Sequence, residues 1–136
     1  WLDRIAARLK RGYILTIDYG YLREEAKRFP AGTLMSYRRH QALDDVLAEP
    51  GARDITSHVC FTDLQQHGEK AGLVTERYEN LAQMLLRIGE KDQFAAILRA
   101  DTEAQVLQYR MQMKTLLFGM GETFRVLLQR KAASPK

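Results

Sequence analysis

"GYILTIDYGY", residues 12–21, is the stretch on which the fold turns. Tyr13, Leu15, Ile17 and Tyr19 alternate with Ile14, Thr16 and Asp18, so an extended chain carries apolar groups on both faces. A run of this kind, bounded by glycine, predicts a buried strand of the sort found in parallel sheets. Asp18 stands at the carboxyl end of that strand, where open α/β sheets place their ligands. An acid there either serves a site, caps a loop or pairs with one of the many arginines.

Upstream, "WLDRIAARLKRG" sets Trp1, Ile5 and Leu9 at helical spacing, and Gly12 is placed to end that helix. With no initiator Met and no cap ahead of Trp1, the chain reads as a fragment that starts inside a helix. Downstream, the charged residues 21–32 leave the sheet and stop at a Pro-Ala-Gly breaker. "TLMSYR" (33–38) predicts a short second strand. Residues 38–54 form a polar segment, with one helical turn expected and Pro50-Gly51 closing it, long enough for a functional loop.

"ITSHVCF" (55–61) alternates at period two, with Ile55, Ser57, Val59 and Phe61 on one face and Thr56, His58 and Cys60 on the other. Thr62 and Gln65 form a capping-box pattern for a helix that runs to Ala71 and stops at Gly72. "LVTERY" (73–78) predicts a strand and Leu81 to Ile88 a helix. Thr102 with Gln105 caps a longer helix striped by Val106, Tyr109, Met113 and Leu116. "FRVLL" (124–128) follows the turn "GMGE" as a last strand. Strands alternating with helices define an α/β protein in one domain, residues 1–136.

Composition narrows the function. The 136 residues are 46% apolar and 28% charged, which is ordinary for a globular domain. The net charge of +4 comes from 21 basic and 17 acidic residues interleaved along the chain, so no basic patch points to nucleic acid. No apolar run reaches the roughly 20 residues of a membrane span, and no leader pattern is visible. One cysteine makes no internal disulfide, and with three histidines it cannot complete a zinc site of the usual spacing.

His58 and Cys60 share a strand face, but residues i and i+2 project in parallel, whereas a thiol and its base come from elements that face each other. Cys60 reads more simply as a small buried side chain. His40, Asp44, Asp45 and Asp54 lie in or beside the polar loop and could converge with His58 to bind a cation or take up a proton. A solvated loop is the alternative. "FGMGET" lacks the third glycine and the strand-to-helix setting of a dinucleotide site.

Several strings occur together and in order: "GYILTIDYGY", "GTLMSYRRH" with His40, "PGARDITSHVCF", "LAQMLLRIGE" and "MGETFRVLLQRK". In these the chain resembles the C-terminal part of the MidA-type methyltransferases, the family that includes mitochondrial complex I assembly methyltransferases. The resemblance implies the C-terminal half of a class I Rossmann-like fold, strands five to seven, with the Asp18 strand fifth, "LVTERY" sixth and "FRVLL" seventh and antiparallel. It also implies a helical insertion over about 80–118. S-adenosylmethionine is the implied cofactor and an arginine on a protein partner the implied acceptor.

On this resemblance Asp18, Asp54 and His58 are expected to be catalytic, with Tyr19, His40 and Asp45 binding substrate. In-line methyl transfer needs an aligned acceptor more than covalent help, and carboxylates can grip a guanidinium in two places. Cys60 stands where the family commonly has an acid. The family's glycine-rich cofactor loop is absent, so these residues alone are expected to be inactive. The resemblance implies a cytoplasmic location in bacteria and a mitochondrial one in eukaryotic relatives. The alternative is a non-catalytic interaction module that binds a partner or a second copy through its truncated edge.

Overall fold

The longest continuous pairing in the molecule joins β1 (Gly12–Tyr21) to β7 (Phe124–Lys131). It is an antiparallel ladder of eight pairs, from Gly12 opposite Lys131 to Tyr19 opposite Phe124. The computed structural model describes residues 1–39, 41–43, 45–95, 99 and 102–133. Along the chain, α1 (Leu2–Arg8) leads into β1, and a 3-10 helix (Arg23–Arg28) follows it. Next come β2 (Met35–Arg38), β3 (Gln41–Leu43), β4 (Asp54–Thr56) and β5 (Val59–Cys60). The remainder is α2 (Phe61–Lys70), β6 (Val74–Asn80), α3 (Leu81–Gly89), α4 (Glu103–Thr115), a π-helical turn (Leu116–Met120) and β7. The protein is α/β, with a mixed four-stranded sheet in the order β5-β1-β7-β6 and a separate three-stranded sheet, β3-β2-β4.

β7 is antiparallel to both neighbours, and β5 runs parallel to β1 through only two pairs, Gly20 with Val59 and Tyr21 with Cys60. Helices α1 and α2 cover one face of the sheet. Leu2, Ala6 and Leu73 are buried there with Ile14, Leu64 and Ala71 packed against them. Each Leu so buried contributes about 1.5–3 kcal/mol. Lys131 fastens both helices to the end of β7: its ammonium donates to the Ala6 carbonyl at 2.9 Å and the Ala71 carbonyl at 3.1 Å. A cation suits carbonyls at helix C-terminal ends, where the helix has no backbone donor left to satisfy them.

Several expectations change on contact with the structure. The run 13–19 forms the expected strand, but it is not buried on both faces. Tyr13, Leu15, Ile17 and Tyr19 are 41–64% exposed, because no described element lies over that side of β1. The first helix ends at Leu9 rather than at Gly12, and Gly12 instead turns the chain into β1 with φ +146°. "ITSHVCF" is not one strand. Its first part pairs with β2 and its second with β1, and the break at His58 is pinned by the His58 N–H donating to Thr33 Oγ1 at 3.0 Å. Thr62 does not cap α2: Cys60 holds the cap position, and Thr62 Oγ1 accepts from the Arg23 N–H. Gly72 ends α2 as expected, with φ +77° and the Leu73 N–H returning to the Gly68 carbonyl.

The polar segment makes the β2–β3 hairpin instead of a helical turn, and hydrogen bonds hold the rest of it. Buried Ser36 donates to the Leu43 and Asp45 carbonyls, and Glu49 pairs with Arg38 and Arg53. The Thr102–Gln105 capping box forms on α4, and an unforeseen Asn80–Gln83 box opens α3. Val106, Tyr109 and Met113 on α4 are only half-buried, and Leu116 is exposed.

Gly20 is where β1, β5 and α2 meet. A Cβ there would lie 2.4 Å from both the Phe61 ring and the Val59 carbonyl oxygen, and Phe61 is fully buried. Gly20→Ala is expected to destabilise the fold by about 1–3 kcal/mol, read as a lower midpoint in thermal unfolding. An unchanged midpoint would show that the junction is looser than described.

Candidate functional site

The carboxyl end of β1, the 3-10 helix, the link at His58 and the turn before β7 surround a cavity of about 310 Å³. Tyr19, Tyr21, Phe29 and His58 supply its rings, and Glu25, Arg28, Glu122 and Arg125 its charges. The ladder puts Tyr19 opposite Phe124, with ring centroids 4.0 Å apart. The Tyr19 and His58 rings lie at 6.1 Å and within 20° of parallel. Phe29 meets His58 edge-on at 5.3 Å and Tyr21 at 5.4 Å. Such offset and edge-on pairs hold one another in place as well as excluding water.

Glu25 organises the charged wall. Its carboxylate accepts from the Leu22 N–H at 2.8 Å and pairs with Arg28 at 3.1 Å and Arg125 at 3.7 Å. The Leu22 hydrogen bond first, and then the two guanidiniums, hold its pKa below the usual carboxylate range against the opposing effect of burial. Among the described residues the buried Arg125 Nε and Tyr78 hydroxyl have no hydrogen-bond partner, and burial pushes the Tyr78 phenol up.

The residues expected from sequence separate. Tyr19 and His58 come together in the cleft. Asp18 does not line it: its side chain is exposed, and its Oδ1 accepts from the Tyr19 N–H at 2.8 Å. Asp54 lines a different cavity of about 380 Å³ with Tyr37, Arg39 and Thr56. The Asp45 carboxylate is engaged by the Leu47 and Ala48 N–H groups, each at 3.1 Å, which is a turn-forming task. His40 and Asp44 lie outside the described residues. The Cys60 side chain sits beside the Arg23–Asp63 ion pair, not against His58. Among the described residues no three His, Cys, Asp or Glu gather to hold a metal ion.

Tyr21, Glu25, Phe29, Glu122 and Arg125 were not foreseen as site residues. Tyr21 and Glu122 were the most accessible to sequence reasoning. Tyr21 extends the same strand beyond Gly20, and Glu122 closes the turn that feeds the strand beside it.

A mixed sheet with an aromatic cleft at a strand's carboxyl end defines an α/β protein with a candidate site in the usual place for such sheets. The chain belongs to the family described as "putative S-adenosyl-L-methionine-dependent methyltransferase", whose profile matches residues 1–79. Two solved structures from Burkholderia thailandensis are similar over 98% of the chain at 32% identity and a TM-score of 0.85. One is an uncharacterised protein of the COG1565 superfamily; the other is a COG1565 member and candidate methyl transferase bound to S-adenosyl-homocysteine. The chain spans 37% and 35% of their respective lengths. No curated protein matches it.

Because Glu25 has a lowered pKa, its interactions stabilise the cleft wall at and above the unfolded carboxylate value of about 4.3 and are lost as pH falls through the lower folded-state value. Tyrosine fluorescence of the wild type is expected to report loosening of the cleft below about pH 4, and Glu25→Gln is expected to remove that acid-dependent step. An identical acid profile in the variant would contradict the assignment.

Proposed function

We propose that the chain is the acceptor-facing, C-terminal part of a MidA-type methyltransferase that uses S-adenosylmethionine to methylate an arginine side chain on a protein partner. Family membership supports the reaction class, and the S-adenosyl-homocysteine bound to a similar structure supports the cofactor. The β1-β7-β6 arrangement, with β7 antiparallel, supports reading these strands as the fifth, seventh and sixth of a class I Rossmann-like sheet. The observation that carries the reading is the cleft at the carboxyl end of β1, where Tyr19 and His58 face each other across 6.1 Å.

The described residues fit one end of such a cofactor. Aromatic faces tolerate a sulfonium's positive charge, while the one glycine lining the cleft, Gly20, is filled against Phe61 and offers no cradle for the rest. S-adenosylmethionine, when bound, supplies a methyl group on cationic sulfur. Tyr19, Tyr21 and Phe29 exclude water from the acceptor, and the His58 imidazole can take the proton that the acceptor nitrogen gives up. Glu25 restrains Arg125 and Arg28, so that their guanidiniums do not compete for the acceptor's place. Asp18 acts on Tyr19 through the backbone, and Asp54 lies where it could touch a more distant part of a protein substrate.

A second reading, an interaction module without catalysis, has one observation in its favour. The outer face of β1 exposes Tyr13, Leu15, Ile17 and Tyr19, and β5 pairs with β1 only at Gly20 and Tyr21. A bare apolar face beside an unpaired edge invites association. Concentration-dependent light scattering of residues 1–136 is expected to show self-association, and a monomer throughout would remove this reading.

Transfer of a labelled methyl group by the complete protein tests the first. Tyr19→Ala and His58→Ala are each expected to lower transfer at least tenfold, within the range general acid–base and positioning groups contribute. Residues 1–136 alone are expected to transfer none. Full transfer by both variants would overturn the assignment.

A further inference from the structure

Helix α4 (Glu103–Thr115) carries apolar residues on two sides. Val106, Tyr109 and Met113, at spacings of three and four, are half-buried. Leu107 and Met111, on a different side, are 62% and 59% exposed, and Phe118 in the π-helical turn beyond them is 75% exposed. A helix that is apolar on both sides is ordinarily covered on both.

The exposed side has a shape as well as a polarity. A depression of about 490 Å³ is lined there by Gln108, Met111, Gln112, Thr115 and Leu116. The first four stand at i, i+3, i+4 and i+7, the spacing of four residues that together receive one side chain from a facing helix. Ala104 and Met111 are seven residues apart and Leu107 follows Ala104 by three, which is the repeat of a helix–helix seam.

The helix that fits this surface is a second α4. When two copies lie antiparallel about a two-fold axis near Tyr109, Leu107 of one helix comes level with the partner's Met111 and enters the partner's depression. The same register sets Glu103, in the first turn, within about 1.5 Å along the axis of the level of the partner's Lys114. The partner's Arg110 approaches along the same flank. Glu103, Arg110 and Lys114 are exposed and make no ion pair among the described residues. An acid at the start of a helix and cations toward its end complement a copy that runs the other way, whereas a parallel copy in register would set like charges together. Two-fold symmetry makes each such pair twice.

We propose that α4 is a self-association surface: two copies of the protein pair antiparallel through Leu107 and Met111, with Glu103 of each helix against the partner's Lys114. This surface is separate from the bare face of β1, and the pairing does not depend on the reaction the protein carries out. A contact confined to two short helices falls below the roughly 1,200 Å² of a standard stable interface, so the dimer is expected to dissociate on dilution.

Sedimentation equilibrium of the complete protein over a range of concentrations provides the test. Wild type is expected to pass from monomer to dimer as concentration rises. Met111→Glu is expected to raise the dimer dissociation constant roughly tenfold or more. Glu103→Lys and Lys114→Glu alone are each expected to raise it about threefold or more, and the double variant to return to within about twofold of wild type. That recovery is the result a nonspecific apolar contact does not produce. A monomer throughout, a dimer indifferent to Met111→Glu, single charge reversals without effect, or a double variant no better than the singles would each overturn the proposal. The first outcome would mean that another part of the complete protein or a different protein covers α4, and the second that the copies meet elsewhere.

Discussion

The ladder between β1 and β7 is the constraint on which the rest depends. It joins residues more than one hundred positions apart in sequence, and its register fixes both ends of the molecule. At one end Lys131 lies opposite Gly12, where it can reach the C-terminal carbonyls of α1 and the cap of α2. At the other, Tyr19 lies opposite Phe124 and the Glu122 turn comes level with the carboxyl end of β1. A slip of one residue would exchange the two faces of β7. Val126, now buried on one side, and Leu127 and Gln129, buried on the other, would all be misplaced.

The cleft inherits its chemistry from that register. Each strand alone contributes little: a tyrosine from β1, an arginine from β7, a histidine from a link between two short strands. Together with Phe29 they make a small aromatic wall, and Glu25 ties the 3-10 helix to β7 through Arg125. The buried Arg125 Nε and Tyr78 hydroxyl, without a partner among the described residues, are costly groups. They persist because the Tyr78 ring packs on Phe61 and the Arg125 head group is drawn toward Glu25.

Much of the fold was legible where a local pattern and a tertiary contact agree. The β1 run, the Gly72 stop, the Thr102–Gln105 box and the last strand are of this kind. Reading failed where local and long-range demands compete. "ITSHVCF" has the alternation of one strand, but it is shared between two sheets, and a threonine 25 residues upstream holds the break. The Thr62 hydroxyl suits a helix cap, yet it serves Arg23 across 39 residues. Burial of β1 could not be judged from its own residues, since apolar side chains on two faces do not say whether both faces are covered.

The cleft's lining is legible in part for the same reason. Tyr19 and His58 stand out because each lies in a distinctive string, whereas Glu122 does not, because its turn reads as a connection. The resemblance implied an antiparallel last strand, and the ladder shows one. Crystals of the complete protein with S-adenosyl-homocysteine provide the most direct test of the cleft as a methyl-transfer site. The ligand's sulfur is expected to face Tyr19 and His58 at the carboxyl end of β1. A sulfur directed elsewhere, toward Asp54 and Tyr37 or toward α4, would contradict it.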